Sequence, residues 1–247
     1  MKGRNKKIPT FLFLINYVIF KMLSRIPVFI AARGNSELKI KKNKKALKYS
    51  FVFIRSMGLI NQTYIISDNT EMLEYAKKLG FKNTIYQECK DEKDIRYIEY
   101  NAIYEFHLKY NAKPDWFILL SIDELFISKE SFLDCIRNID DKYDVIASYS
   151  ETTDRSIFYL DDDLTLKHHI HRITNEKKRC KMIDSRIYAI KTKFAIKCMQ
   201  EGDPAEVFWH GKFKLFQNKD LYTDIYSVED ISKFSYLGNV LEQVNQI

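Results

Sequence analysis

The sequence predicts a doubly wound α/β fold with a mainly parallel sheet and an inserted hairpin or lid. Two observations carry this. Short apolar runs of strand length alternate with segments of helical periodicity through the first 150 residues, and strand, helix, strand repeated in that way builds a parallel sheet covered by helices on both faces. A third observation sets the size: 247 residues with 46% apolar and 30% charged side chains, but only 7 Gly and 4 Pro, suit one large packed domain rather than a disordered or multi-linker chain.

In chain order, the first 25 residues form a leader. A basic run from Lys2 to Lys7 precedes mostly apolar residues, among them Phe11, Leu12, Phe13, Leu14, Ile15, Val18, Ile19 and Phe20. Asn16 and Lys21 interrupt the run, which falls short of the ~20 residues that span a bilayer, and no small-residue cleavage site follows. Residues 1–25 are therefore read as an interfacial helix or anchor making peripheral membrane contact, as a packed helix, or as sequence ahead of a true start at Met22. Residues 26–247 are assigned to the nucleotide-binding domain.

Strands are expected at residues 26–31, 63–67, 116–120 and 145–149, and helices at 45–57, 71–79, 95–109 and 131–138. Beyond Tyr149 the acidic turn Asp161, Asp162, Asp163 separates two short strand-like runs, and a basic stretch from His168 to Lys181 follows, which reads as the inserted hairpin or lid. Residues 186–190 return as a strand, 193–199 as a helix and 228–234 as a closing helix. In such a sheet ligands bind beyond the carboxyl ends of the strands, so functional residues are expected just after Ala31, Ser67 and Leu120.

Charge and cysteines bound the function. Lys and Arg exceed Asp and Glu by seven, which favours an anionic partner such as a nucleoside triphosphate, an acidic sugar or an anionic membrane surface. No arginine-rich helix or aromatic-basic RNA motif is present, so nucleic acid is not expected as a partner. Cys89, Cys135, Cys180 and Cys198 form no C-x-x-C pair. They read as buried thiols in a reducing, cytoplasmic compartment.

After the first strand comes Ala31-Ala32-Arg33-Gly34-Asn35-Ser36-Glu37, with Lys41-Lys42-Asn43 further on. Residues 32–43 are read as the phosphate-handling loop: a short Gly-containing loop with exposed amides and clustered cations is suited to holding a triphosphate, and a solvated basic loop is the alternative. The stretch resembles the A-R-G-G-S-K-x-x-x-x-K-N signature of the CMP-acylneuraminate and CMP-Kdo synthetase family, gap-free, with Arg33, Gly34, Ser36, Lys42 and Asn43 matching. Residues 65–71, through Asp68, are similar to that family's second strand and S-[ST]-D turn, and residues 187–191 to its G-A-I-Y-I-x-K strand. Residues 223–231 resemble its metal-binding D-I-D-x-x-E-D-L.

What the resemblance implies is a nucleotide-diphospho-sugar transferase-like fold and a cytidylyltransferase of surface-polysaccharide synthesis. It would bind CTP, release pyrophosphate and join CMP to an acidic sugar, by positioning, metal and cations rather than by a protein nucleophile. Arg33, Gly34, Asn35, Ser36, Lys42, Asn43 and Asp68 would hold the nucleotide, with Arg33 and Asp224 catalytic. Asp224 would bind Mg²⁺, with Mn²⁺ as the alternative ion, and the family suggests a homodimer. Two departures stand out: Glu37 occupies the place of a phosphate-contacting Lys, and Tyr226 replaces the second metal Asp.

A second resemblance stays open. Residues 115–125, ending Asp123-Glu124-Leu125, are similar to the D-x-D-E-F segment of GT-A glycosyltransferases, where carboxylates after a central strand hold a divalent ion against a nucleotide-sugar diphosphate. Asp123 is then the metal candidate, against a plain reading as solvated acids at a strand end. A catalytically lapsed binding member of the fold is the third reading. The lid candidates Arg172 and Arg179, with Asp184, are assigned to the acidic sugar. His168, His169 and His171 are read as part of that lid rather than as a zinc site, for which no third ligand can be placed.

Overall fold

The computed structural model describes residues 25–88, 95–110, 114–122, 127–152, 157–160, 166–170, 180–201, 207–208 and 210–218. In chain order the elements are β1 (Val28–Ala31), α1 (Glu37–Ser56), β2 (Thr63–Ser67), α2 (Thr70–Leu79), β3 (Asn83–Tyr86), α3 (Ile95–Tyr110) and β4 (Trp116–Ser121). They continue as α4 (Lys129–Arg137), β5 (Val145–Thr152), β6 (Ile157–Leu160), β7 (Leu166–Ile170), β8 (Cys180–Lys191), α5 (Thr192–Gln200) and β9 (Phe213–Gln217).

Seven strands form one sheet in the order β3-β2-β1-β4-β8-β5-β9. All run parallel except β8, which is antiparallel to both β4 and β5. The strand order reverses between β1 and β4: the chain first builds outward through β2 and β3, then returns to lay β4 on the other side of β1. That reversal opens a crevice beyond the carboxyl ends of β1 and β4, where Ala31 is in register with both Ile66 and Ser121.

Side chains alternate across the sheet because successive strand residues point to opposite faces. Val28, Ile30, Ile65, Ile118, Leu120 and Ala189 pack toward α1, α2 and α4 in one buried core. Phe29, Ile66, Phe117, Leu119, Tyr188 and Ile190 pack toward α3 and α5 in the other. Burial on both faces is why these strands read as continuous apolar runs. Trp116 and Phe117 are core residues, as expected.

The expected hairpin is present. β6 and β7 pair antiparallel as a separate two-stranded sheet, with Phe158 opposite His169 and Tyr159 opposite His168. β5 and β8 extend well beyond the expected residues 145–149 and 186–190, and their register shifts between Ala147 and Tyr149. The sequence reading missed β3 and β9. The expected helix at residues 228–234 lies outside the described residues, as does the leader up to residue 24. No helix among the described residues is long and apolar enough to cross a membrane.

Candidate functional site

The largest correction concerns the loop after β1. Residues 32–43 were expected to be a single phosphate-handling loop, but helix α1 begins at Glu37, eight residues before the expected start. Ser36 caps it: its backbone is extended and its Oγ accepts the N–H of Lys39 at 3.3 Å. The loop proper is Ala32 to Ser36. Lys42 and Asn43 belong to the second turn of the helix.

Glu37 changes meaning with this boundary. It lies in the first turn of α1 and is exposed, where a carboxylate complements the positive end of the helix dipole. The residue that departs from the family pattern is thus a favourable helix-start acid. Any phosphate at this helix end must share the field with it.

Three consecutive residues at the end of β2 hold the loop. Ser67 Oγ donates to the Ala32 carbonyl at 2.5 Å and accepts the Asn69 N–H at 3.1 Å. Asp68 Oδ1 accepts the Gly34 N–H at 2.6 Å, and its Oδ2 lies 3.8 Å from Arg33 Nε. Asn69 Nδ2 donates to the Gly34 carbonyl at 3.1 Å, while its Oδ1 caps α2 by accepting the Met72 N–H at 3.1 Å. From the other side Asn43 Nδ2 donates to the Arg33 carbonyl at 2.7 Å.

Gly34 is required by this closeness. A Cβ at that position would stand 2.3 Å from Asn69 Cβ, well inside contact distance. The backbone groups of Ala32 and Gly34 and the carbonyl of Arg33 are satisfied from within the protein, and the loop is preorganised rather than waiting for ligand. The Gly34 amide, expected to face nucleotide, is turned to Asp68 instead.

What remains toward the crevice is the exposed turn from Asn35 to Leu38. The first amides of a helix have no intrahelical partner, and the amides of Asn35, Ser36, Glu37 and Leu38 engage none of the described residues. Arg33 is buried, 8% exposed, with Asp68 beside it. Asn43 is 4% exposed, and its Oδ1 finds no hydrogen-bond donor among the described residues. A buried amide oxygen of this kind is costly unless something donates to it. Lys42 is half-buried and already engaged.

The structure thus brings Arg33, Gly34, Asn43 and Asp68 together, with Asn35 and Ser36 on the exposed turn beside them. Asp123, Asp224, Arg172 and Arg179 lie outside the described residues. Asp184 is on β8, between β4 and β5. β4 ends at Ser121, in register with Ala31 at the switch point. Among the described residues no three His, Cys, Asp or Glu side chains are grouped as a metal centre. Asp68 does not fit that role, since Gly34 N–H and Arg33 already take its charge.

Sequence reasoning missed Ser67 and Asn69 as loop-holding residues. Part of the signal was visible: Asn69 followed by the apolar periodicity of α2 is an N-cap pattern. Nothing in the sequence reported that the same side chain also reaches across to Gly34.

No protein-family model and no curated protein matches the chain. Solved structures do. A CMP:2-keto-3-deoxy-manno-octonic acid synthetase complexed with CTP superposes with a TM-score of 0.64 at 13% identity, over 87% of this chain and 98% of that one. The 4-diphosphocytidyl-2C-methyl-D-erythritol synthase of Anaerococcus prevotii gives 0.56 at 15% identity, over 86% and 98%. A cytidylyltransferase from Leptospira borgpetersenii gives 0.56 at 14%, over 86% and 87%. At such identities the likeness establishes the architecture: this chain has the α/β fold seen in those nucleotidyltransferases.

Proposed function

We propose that the chain is a nucleotidyltransferase that joins CMP from CTP to an acidic sugar and releases pyrophosphate. The observation that carries this reading is the preorganised turn at the topological switch point. Ser67, Asp68, Asn69 and Asn43 fix the backbone from Ala32 to Gly34, leaving the amides of residues 35–38 and the first turn of α1 at the crevice. Helix starts of this kind suit phosphate oxygens, because several N–H groups and the dipole act together. The fold shared with cytidylyltransferases supports the reading but does not choose the base.

In the proposed reaction a sugar hydroxyl oxygen attacks the α-phosphorus, the bond to the β-phosphate oxygen breaks, and the hydroxyl proton passes to solvent or a nearby base. Such transfer depends on positioning and charge neutralisation. Arg33, with the turn amides, would orient the triphosphate. Arg172, Arg179 and Asp184 are proposed for the acidic sugar. Mg²⁺, or Mn²⁺, is proposed to be held chiefly by phosphate oxygens with Asp224, and when bound it would neutralise triphosphate charge. A homodimer and a role in surface-polysaccharide synthesis belong to the same proposal.

The glycosyltransferase reading is kept because β4 ends in register with β1 at the switch point, and Asp123 follows Ser121 by two residues in the sequence. The test is a pyrophosphate-release screen with CTP, the other nucleoside triphosphates and a panel of sugar acids. Release with CTP and an acidic sugar supports the proposal. Transfer from a nucleotide sugar with no release from any triphosphate overturns it in favour of glycosyl transfer.

A further inference from the structure

We propose that the outer face of α1 is a docking surface for an anionic phospholipid bilayer. The helix has 20 residues and so spans ~30 Å. Leu38, Lys41, Lys45, Lys48, Val52 and Arg55 follow one another at spacings of three and four, which at about 100° per residue places them in one stripe. The stripe lies opposite the buried face formed by Asn43, Ala46, Leu47 and Ile54. Leu38 is 69% exposed, and Lys41, Lys45, Lys48 and Arg55 are exposed as well.

The charge of this face is of one sign beyond the first turn. None of Lys41, Lys45, Lys48 and Arg55 has an ion-pair partner among the described residues, whereas Lys44, one step off the stripe, is taken by Glu71 of α2 at 2.5 Å. The neighbouring helices of the same layer carry both signs: Glu71, Glu74, Lys77 and Lys78 on α2, and Lys129, Glu130, Asp134 and Arg137 on α4. A solvated face needs no such segregation. A cationic ridge with an apolar residue at its head suits a surface that offers both negative charge and hydrocarbon, which a bilayer does and a nucleic acid does not.

Topology adds the second observation. Thr63 pairs with Val28 in parallel register, so the end of α1 and the residues leading to β2 lie at the same end of the strands where the chain enters β1. The sequence that feeds β1 is basic at Lys2, Arg4, Lys6 and Lys7 and then apolar through Phe20. The stripe thus runs toward the point from which a second basic and apolar segment departs. Two weak membrane signals in one chain give stable attachment where either alone is marginal.

The test uses the full chain in flotation with vesicles of phosphatidylcholine containing phosphatidylglycerol, and of phosphatidylcholine alone. Binding is expected to the anionic vesicles only and to fall with added salt. The triple variant Lys41→Gln, Lys45→Gln, Lys48→Gln is expected to lower partition by about a hundred-fold. The charge-matched variant Lys193→Gln, Lys197→Gln, Lys212→Gln, whose exposed lysines belong to α5 and the approach to β9, is expected to stay within about three-fold of wild type. Circular dichroism melts check that both variants fold. Equal loss in the two variants, unchanged binding of the α1 variant, equal binding to uncharged vesicles, or capture by duplex nucleic acid in place of vesicles each overturns the proposal.

Discussion

Asp68 accepts the backbone N–H of Gly34 at 2.6 Å across 34 residues of sequence. This bond ties the end of β2 to the turn after β1, and it gives a carboxylate, rather than a nucleotide, the Gly34 amide. Removing the acceptor leaves a buried N–H unpaired. Asp68→Ala should therefore cost about 1–3 kcal/mol of stability, read as a lower urea midpoint with an unchanged m-value. Asp68→Asn keeps a carbonyl acceptor and should cost less. Equal stability of Asp68→Ala and wild type would show that the bond contributes nothing to the folded state.

Gly34→Ala tests the same junction sterically. The added Cβ would meet Asn69 Cβ at 2.3 Å, so either the loop or the α2 cap must move. The expected loss is about 1–3 kcal/mol, typical of overpacking, with weaker nucleotide binding because the turn amides shift with it. Calorimetry and chemical unfolding together measure both effects. Wild-type values in both would mean that the loop is freer than its hydrogen bonds imply.

Arg33→Ala should weaken CTP binding by about 1.5–3 kcal/mol, the usual worth of a hydrogen bond to a charged group, with CTP bound more tightly than ATP or GTP in the wild type. Titration calorimetry with and without Mg²⁺ reads this directly. Unchanged affinity would remove Arg33 from the nucleotide site and leave it as the structural neighbour of Asp68.

Two carboxylates separate the competing reactions. Asp224→Asn should abolish most pyrophosphate release without unfolding the protein, and Asp123→Asn should affect that assay less, because each reading puts the divalent ion at a different place. The reverse order, or loss of transfer from a nucleotide sugar in Asp123→Asn, would favour glycosyl transfer. No change in any nucleotide-dependent activity in either variant would favour a protein that works by binding alone.

Cys135 and Cys198 are buried in the two cores, one on each side of the sheet. Burial pushes the Cys198 thiol up to about 12 from 9.0, and pushes Cys135 further in the same direction. The folded state thus favours the neutral thiols. The stability they contribute is fully present below the unfolded thiol value and is lost as pH rises past it toward the folded value. Native protein should leave both thiols unreactive to a disulfide reagent at neutral pH, with reaction appearing only on unfolding, and its unfolding midpoint should decline above about pH 9. Rapid labelling of either residue in the native state would contradict the burial.

Much of the architecture was legible in the sequence. β2 and the start of β4 fall where the apolar runs predict them, because strands buried on both faces need uninterrupted apolar side chains. β3 was missed since Asn83-Thr84-Ile85-Tyr86 is a half-exposed edge with no apolar run to announce it. β9 was missed because a strand of five residues carrying Lys214 and Gln217 reads like its surroundings. The start of α1 was hidden by its own composition: the lysine-rich residues 39–45 look like a solvated loop, and only Ser36 as N-cap reveals where the helix opens.

The sequence by itself determined where the central buried strands lie, that the sheet is mainly parallel, and that Arg33, Gly34 and Asp68 stand near strand ends. Those are local properties, since periodicity and turn chemistry act over a few residues. Only the tertiary structure decided that Ser67, Asp68 and Asn69 together hold the Ala32 and Gly34 backbone, that Asn43 reaches back to the Arg33 carbonyl of the same turn, and that Glu37 sits in the first turn of a helix capped by Ser36. These depend on β1 lying beside β2 with Ala31 opposite Ile66, a pairing between residues 35 positions apart that no local pattern encodes.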